Sequence, residues 1–218
     1  MERARAYTGF ACVRMTYGRW VMTRQFEYAG ADPRRIDDMG RLRDYCDEQA
    51  AAILAWCEAR GVKIACAESL TAGLLADAFV RIPGASRVFL GSAVTYDIHA
   101  KAKVLGVDAE LLRTHGAVDP EVARQMAAST AKLFSQPEYR SGIIGLSTTG
   151  VAGPGPDEGK PAGLVYFGVS LPRSEYFFTS SSQYAVELEL QGSREVIRQR
   201  TVGCVLGNLR EFTGSSQE

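Results

Sequence analysis

The stretch Ala65-Cys66-Ala67-Glu68-Ser69-Leu70-Thr71-Ala72-Gly73, ACAESLTAG, decides how this chain is read. Before it, Val62 to Ala67 reads as a buried strand that starts directly after Gly61. After it, Leu70 to about Ile82 reads as a helix that stops at Pro83-Gly84. A serine at such a joint has two readings. Its hydroxyl could cap the helix, or it could be a nucleophile held at the positive end of the helix dipole. The local residues leave both open.

Outward from this joint, strands and helices keep alternating. Leu42, Tyr45, Cys46, Ile53, Leu54 and Cys57 share one face at helical spacing from Asp38 to Gly61. Val88 to Tyr96 reads as a second strand and Asp97 to Leu105 as a short helix. Asp119-Pro120-Glu121 is an N-cap with proline at the first helical position, opening a helix to about Phe134. Gly142 to Thr148 and Gly163 to Leu171 are further apolar strands. Ser193-Arg194-Glu195 caps a last helix running to about Phe212. Between these, Val186, Leu188 and Leu190 alternate, as in an edge strand closing a long hairpin over 172–191. Interleaved strands and helices imply an α/β fold, a three-layer α/β/α sandwich around a mixed central sheet.

Composition narrows the class. With 46% hydrophobic residues in 218, the chain can bury one substantial core. Twenty-five basic residues balance twenty-five acidic ones, so no overall field points to nucleic acid or a membrane surface. A small molecule or another copy of the chain is the expected partner. Five scattered cysteines without CxxC spacing argue for free thiols in a reducing, cytoplasmic compartment. With only His99 and His115 available, no metal site or cofactor is expected. Residues 1–36 carry seven arginines and no lysine, and read as a poorly structured extension, with a targeting signal as the second reading and Met22 as a possible alternative start. The body is placed at 37–213 and a disordered tail at 214–218.

Two motifs are near-misses. In Gly155-Pro156-Asp157-Glu158-Gly159-Lys160 a P-loop would need glycine at Pro154 and Ser or Thr at Pro161. Gly145-Leu146-Ser147 begins like a nucleophile elbow but has Thr149 where glycine belongs. More informative is Thr148-Thr149-Gly150-Val151-Ala152-Gly153-Pro154-Gly155, at the carboxyl end of a strand, where open α/β sheets form ligand crevices. Its glycines either let backbone N–H groups approach a ligand or simply make a flexible loop. Tyr96 and Lys101 could face the same sheet edge, and a buried lysine near a serine can act as its base. The alternative is ring packing and a solvated helix charge. His115 reads as a turn residue.

Together these pieces resemble the CinA C-terminal domain family, whose stand-alone members include nicotinamide-nucleotide amidases of the PncC type. The residues that carry the resemblance are AESLTAG ending at Gly73, PGASRVFLGSAVTYDIHAKAKVLGV at 83–107, HGAV at 115–118, TGVAGPG at 149–155, KPAGLVYFGV at 160–169 and GSREVIR at 192–198. They run in family order from about Arg41 to Phe212. The resemblance implies metal-free hydrolysis of the carboxamide of nicotinamide mononucleotide to nicotinic acid mononucleotide and ammonia. It implies Ser69 as nucleophile, Lys101 as general base and Tyr96 as the assisting hydroxyl. Glu68, Thr71, Gly73, Thr149, Gly150, Ala152, Gly153 and Arg194 are then expected around the substrate, with Arg194 and Arg198 meeting phosphate or a neighbouring subunit and at least one of them making a salt bridge on the helix surface instead.

Departures fall around the site. Leu70 stands for cysteine, Ala72 and Ser92 for glycine, Asp97-Ile98-His99 for Ser-Asn-Glu, and Asp119 for serine. They leave two other readings beside the amidase: a nucleotide-binding or regulatory relative with weak catalysis, and an amidase for a different small amide. Larger two-domain relatives carry an N-terminal domain that this chain is expected to lack. Family members self-associate, so a homodimer or higher homo-oligomer is expected.

Overall fold

The computed structural model describes residues 13–16, 19–22, 31–139, 142–173, 176–177 and 183–214. In chain order its elements begin with β1 (Val13–Thr16) and β2 (Arg19–Met22), which pair antiparallel. They lie within the Arg-rich segment, most of which is outside the described residues, as are 215–218 of the expected tail. Then follow α1 (Met39–Arg60), β3 (Lys63–Glu68), α2 (Leu74–Val80), β4 (Phe89–Val94), α3 (Ile98–Leu105), α4 (Ala109–His115), α5 (Pro120–Leu133), β5 (Ile143–Gly150), β6 (Leu164–Ser170), β7 (Gln183–Glu189) and α6 (Arg194–Gly214).

The central sheet has the order β4-β3-β5-β6-β7. Its first three strands run parallel and its last two antiparallel, so the sheet is mixed. Helices cover both faces of the sheet, giving the expected three-layer sandwich. On one face α1, α2 and α6 pack Leu42, Ile53, Leu75, Phe79, Leu206 and Leu209 against Ile64, Ile144, Leu146 and Phe167. On the other, α3, α4 and α5 bring Leu105, Leu112, Val122 and Met126 to Ala67. Each fully buried Leu, Ile or Phe contributes roughly 1.5–3 kcal/mol.

Local chemistry sets the boundaries. The Asp38 side chain accepts from the Arg41 N–H at 2.8 Å and starts α1, and Gly61, at φ 67°, returns its N–H to the last turn. Asp119 caps α5 ahead of Pro120, as expected. The α5 layer sits close to the sheet because β5 and β6 present small residues to it. A Cβ on Gly145 would lie 1.9 Å from the Ala127 carbonyl oxygen, and the Ser147 hydroxyl donates to the Ala123 carbonyl at 2.6 Å. The hairpin joining β6 to β7 forms as expected, although 174–175 and 178–182 of it lie outside the described residues.

Two expectations are corrected. The helix after ACAESLTAG starts at Leu74, not Leu70, because the chain first makes two overlapping turns. Ala72 N–H donates to Ser69 O at 3.1 Å and Leu74 N–H to Thr71 O at 3.0 Å, with Ala72 at φ 47° and Gly73 at φ 100°. Two successive left-handed residues cannot belong to a right-handed helix. His115 is also not a free turn residue: it ends α4, a seven-residue helix that Asp108 caps by accepting from the Glu110 N–H at 2.9 Å and Gly116 stops. Among the described residues no helix is long and apolar enough to cross a membrane.

Candidate active site

The site lies where β3, β4 and β5 end. Glu68, the last residue of β3, is fully buried, and its carboxylate collects five donors. Oε2 accepts from Thr71 Oγ1 (2.8 Å), Gly73 N–H (2.9 Å) and Leu75 N–H (3.0 Å), while Oε1 accepts from Ala76 N–H (3.0 Å) and Ser92 Oγ (2.8 Å). The carboxylate therefore satisfies the free N–H groups at the start of α2 and favours the positive end of its dipole. The carboxylate's contacts are all within the protein, so Glu68 shapes the turn. Thr71, also fully buried, shares a 2.7 Å hydrogen bond with Thr148 Oγ1 and is likewise turned inward.

What the turn presents is Ser69. The residue is 8% exposed, and its own N–H is occupied by the Thr148 carbonyl at 3.0 Å. The following two N–H groups, of Leu70 and Thr71, have no acceptor among the described residues. They are adjacent donors directly after the serine, the kind of group an oxyanion site is built from. Arg198 fixes this turn from α6: its Nε donates to Leu70 O at 2.9 Å and its Nη2 to Thr71 O at 3.2 Å, while Nη1 pairs with Glu195 at 2.7 Å.

Lys101 comes up from α3 and is fully buried. Its Nζ lies 3.0 Å from Ser69 Oγ, 2.7 Å from Thr95 O and 3.1 Å from Tyr96 O. Burial pushes its pKa down from 10.5 to about 8, against the opposing pull of the Asp97 carboxylate. At pH 7 about a tenth of such a lysine is neutral. In that form its two hydrogens go to the two carbonyls, which cannot donate, so its lone pair is left for the Ser69 hydroxyl. The bonding pattern thus selects the direction of proton transfer.

A crevice of about 230 Å³ is lined by Leu70, next in the chain to Ser69, by Tyr96, whose carbonyl Lys101 touches, and by Gly150, Ala152, Gly153 and Arg194 among others; Ser69 and Lys101 do not line it themselves. Arg194 spans it, donating from Nη1 to Gly153 O (2.6 Å) and from Nη2 to the Tyr96 hydroxyl (2.9 Å). Tyr96 is 60% exposed, and its hydroxyl bonds Arg194 at the rim instead of Ser69 or Lys101. The N–H groups of Ala152 and Gly153 have no acceptor among the described residues. Gly150 brings β5 close to β6, where a Cβ would stand 2.7 Å from Val165 Cα. Gly73 is the residue before α2, and Thr149 turns away to donate to Ala117 O at 2.7 Å.

So the structure joins Ser69 and Lys101 and groups Tyr96, Arg194, Gly150, Ala152 and Gly153 around the crevice. It turns Glu68, Thr71 and Thr149 inward. The departures also find places: Ser92 adds a donor to Glu68, Asp97 caps α3 at the His99 and Ala100 N–H groups, Leu70 and Ile98 pack into the two cores, and His99 points outward. The near P-loop is a tight turn, Asp157 pairing with Lys160 around Glu158 and Gly159 at positive φ. Among the described residues no group of three or more His, Cys, Asp or Glu is placed to hold a metal ion.

Comparison with known proteins agrees with this architecture. The family model of the CinA C-terminal domain matches residues 47–213. A relative from Caldanaerobacter subterraneus subsp. tengcongensis, named for competence-damage inducibility, is 42% identical over 172 residues, covering 78% of this chain and 38% of its own. The chain thus spans well under half the length of the relatives it matches in sequence. Solved structures match over nearly their whole length. The competence damage-inducible protein A of Klebsiella pneumoniae superposes with TM-score 0.68 at 27% identity over 79% of this chain and 99% of that one. The competence/damage inducible protein of Agrobacterium tumefaciens does so with TM-score 0.65 at 33% identity over 76% and 93%. With its fold, its ordered motifs and most of its length shared, the chain belongs to the CinA C-terminal domain family.

Proposed function

We propose that the protein is an amidohydrolase that converts the carboxamide of nicotinamide mononucleotide to the carboxylate and ammonia. The observation that carries this reading is the 3.0 Å approach of a buried, neutralisable Lys101 to the Ser69 hydroxyl. The choice of nucleotide comes from the resemblance to nicotinamide-nucleotide amidases.

In this mechanism neutral Lys101 takes the Ser69 proton as Oγ attacks the amide carbon. The oxyanion meets the Leu70 and Thr71 N–H groups, and loss of one such donor typically costs about 10²–10³ in turnover. The Lys101 ammonium then protonates the leaving nitrogen, ammonia departs, and a Ser69 ester remains. Water hydrolyses that ester with Lys101, neutral again, as base. Arg194 and the free N–H groups of Ala152 and Gly153 are suited to an anionic part of the substrate at the crevice. The reaction needs no metal, and a homo-oligomer in the cytoplasm is the proposed setting.

The test is ammonia release from nicotinamide mononucleotide by the purified chain and by Ser69→Ala. Release that disappears in the variant is expected. Equal release from both would remove Ser69 from the mechanism. Nucleotide binding without release would favour a regulatory relative.

A further inference from the structure

Thr95 follows β4 directly and is tied on both sides to the site. Its N–H donates to Glu68 O at 2.9 Å, and its carbonyl accepts from Lys101 Nζ at 2.7 Å. The residue is 2% exposed, yet its buried hydroxyl has no hydrogen-bond partner among the described residues. Buried hydroxyls are nearly always paired, and valine has the same shape without an unpaired oxygen. For packing alone, threonine is the poorer choice here.

We infer that the Thr95 hydroxyl holds the water that hydrolyses the acyl-enzyme and orients it beside Lys101. The inference rests on the acyl-transfer reading above. While Ser69 is free, its hydroxyl occupies the Lys101 lone pair; once Ser69 is esterified it has no proton to give, and that lone pair is open. A water that donates one hydrogen to Lys101 needs a second anchor to aim its oxygen at the ester carbon. Thr95 Oγ1 belongs to the residue whose carbonyl Lys101 Nζ already touches, so the hydroxyl is a near neighbour of that amine. The water gives its other hydrogen to Thr95 Oγ1. The water oxygen then bonds to the acyl carbon as its proton passes to Lys101 Nζ. Collapse breaks the bond to Ser69 Oγ, which recovers that proton from Lys101 and leaves the free acid.

The experiment compares the wild-type chain with Thr95→Val and Thr95→Ser on nicotinamide mononucleotide, following ammonia and the intact protein mass. Thr95→Val should release about one ammonia per active site in a burst. Its steady rate should then be lower by about tenfold or more, with an adduct of substrate minus ammonia on Ser69. Its melting temperature should not fall, and Thr95→Ser should keep most of the rate. A wild-type rate in Thr95→Val, or a slowing with neither burst nor adduct, would overturn the inference. A high-resolution crystal structure of Ser69→Ala, which leaves the Lys101 lone pair open as the acyl-enzyme does, decides the water site independently. An ordered water on Thr95 Oγ1 within reach of Lys101 supports it, and a dry hydroxyl overturns it. If the wild type releases no ammonia from this nucleotide, the substrate reading falls alone, and the crystallographic result still judges Thr95.

Discussion

Replacing Glu68 by glutamine tests whether a buried carboxylate builds the turn that presents Ser69. All five groups around it are placed as donors. Glutamine offers one acceptor oxygen and one NH2. The least damaging orientation puts the NH2 on the Oε1 side, where the Ser92 hydroxyl can rotate and accept but the Ala76 N–H cannot. An N–H opposed by another N–H costs about 1–3 kcal/mol. The three bonds at the remaining oxygen lose their charge assistance, roughly 0.5–1 kcal/mol each. The smaller desolvation cost of a neutral amide offsets part of this. The net expectation is about 2–4 kcal/mol, a large share of the stability of a domain this size. Urea unfolding followed by circular dichroism measures it directly. A loss below about 1 kcal/mol would refute the claim that this network holds the turn.

Lys101 makes stability depend on pH. Its pKa is held at about 8 in the fold, against 10.5 without it. Between those values the unfolded chain binds more protons, so stability rises with pH; relative to Lys101→Met, the wild type should gain on the order of 3 kcal/mol from pH 8 to 10.5, and a flat difference would contradict the burial argument. Turnover, by the proposed mechanism, should rise through about pH 8, and a profile without that limb would exclude Lys101 as the base. Ala72→Gly removes a left-handed alanine at φ 47° and should stabilise the fold by about 0.5–1 kcal/mol in thermal unfolding, whereas destabilisation would show that the alanine is not strained. Gly145→Ala drives a methyl into the Ala127 carbonyl and should cost about 3 kcal/mol or more, and a near-neutral result would mean that α5 can move off the sheet.

Much of the architecture was legible because it rests on local signals. Asp38, Asp97 and Asp119 announce helix starts, and Gly61 announces a stop. The start of α2 was not legible, since nothing in Ser69 to Gly73 reveals that the Glu68 carboxylate gathers the N–H groups beyond it. The signal for α4 was present in Asp108 and Gly116 but spans only seven residues. The inward turn of Thr149 was hidden because β5 is buried on both faces, which erases alternation. The pairing of Ser69 with Lys101 crosses 32 positions, and family resemblance, not periodicity, pointed to it. Thr95 carried no sequence signal, for its distinction is an absent hydrogen bond.

The antiparallel register of β6 has a practical use. Gly150, at the crevice, pairs with Val165 near the start of β6, whereas Ser170 at its end pairs with Gly145, most of the length of β5 away. The connection from β6 to β7 therefore leaves the sheet on the side away from Ser69 and Lys101. An affinity tag or a fluorophore attached at that end of the strands stands at the opposite end of the sheet from the reacting groups.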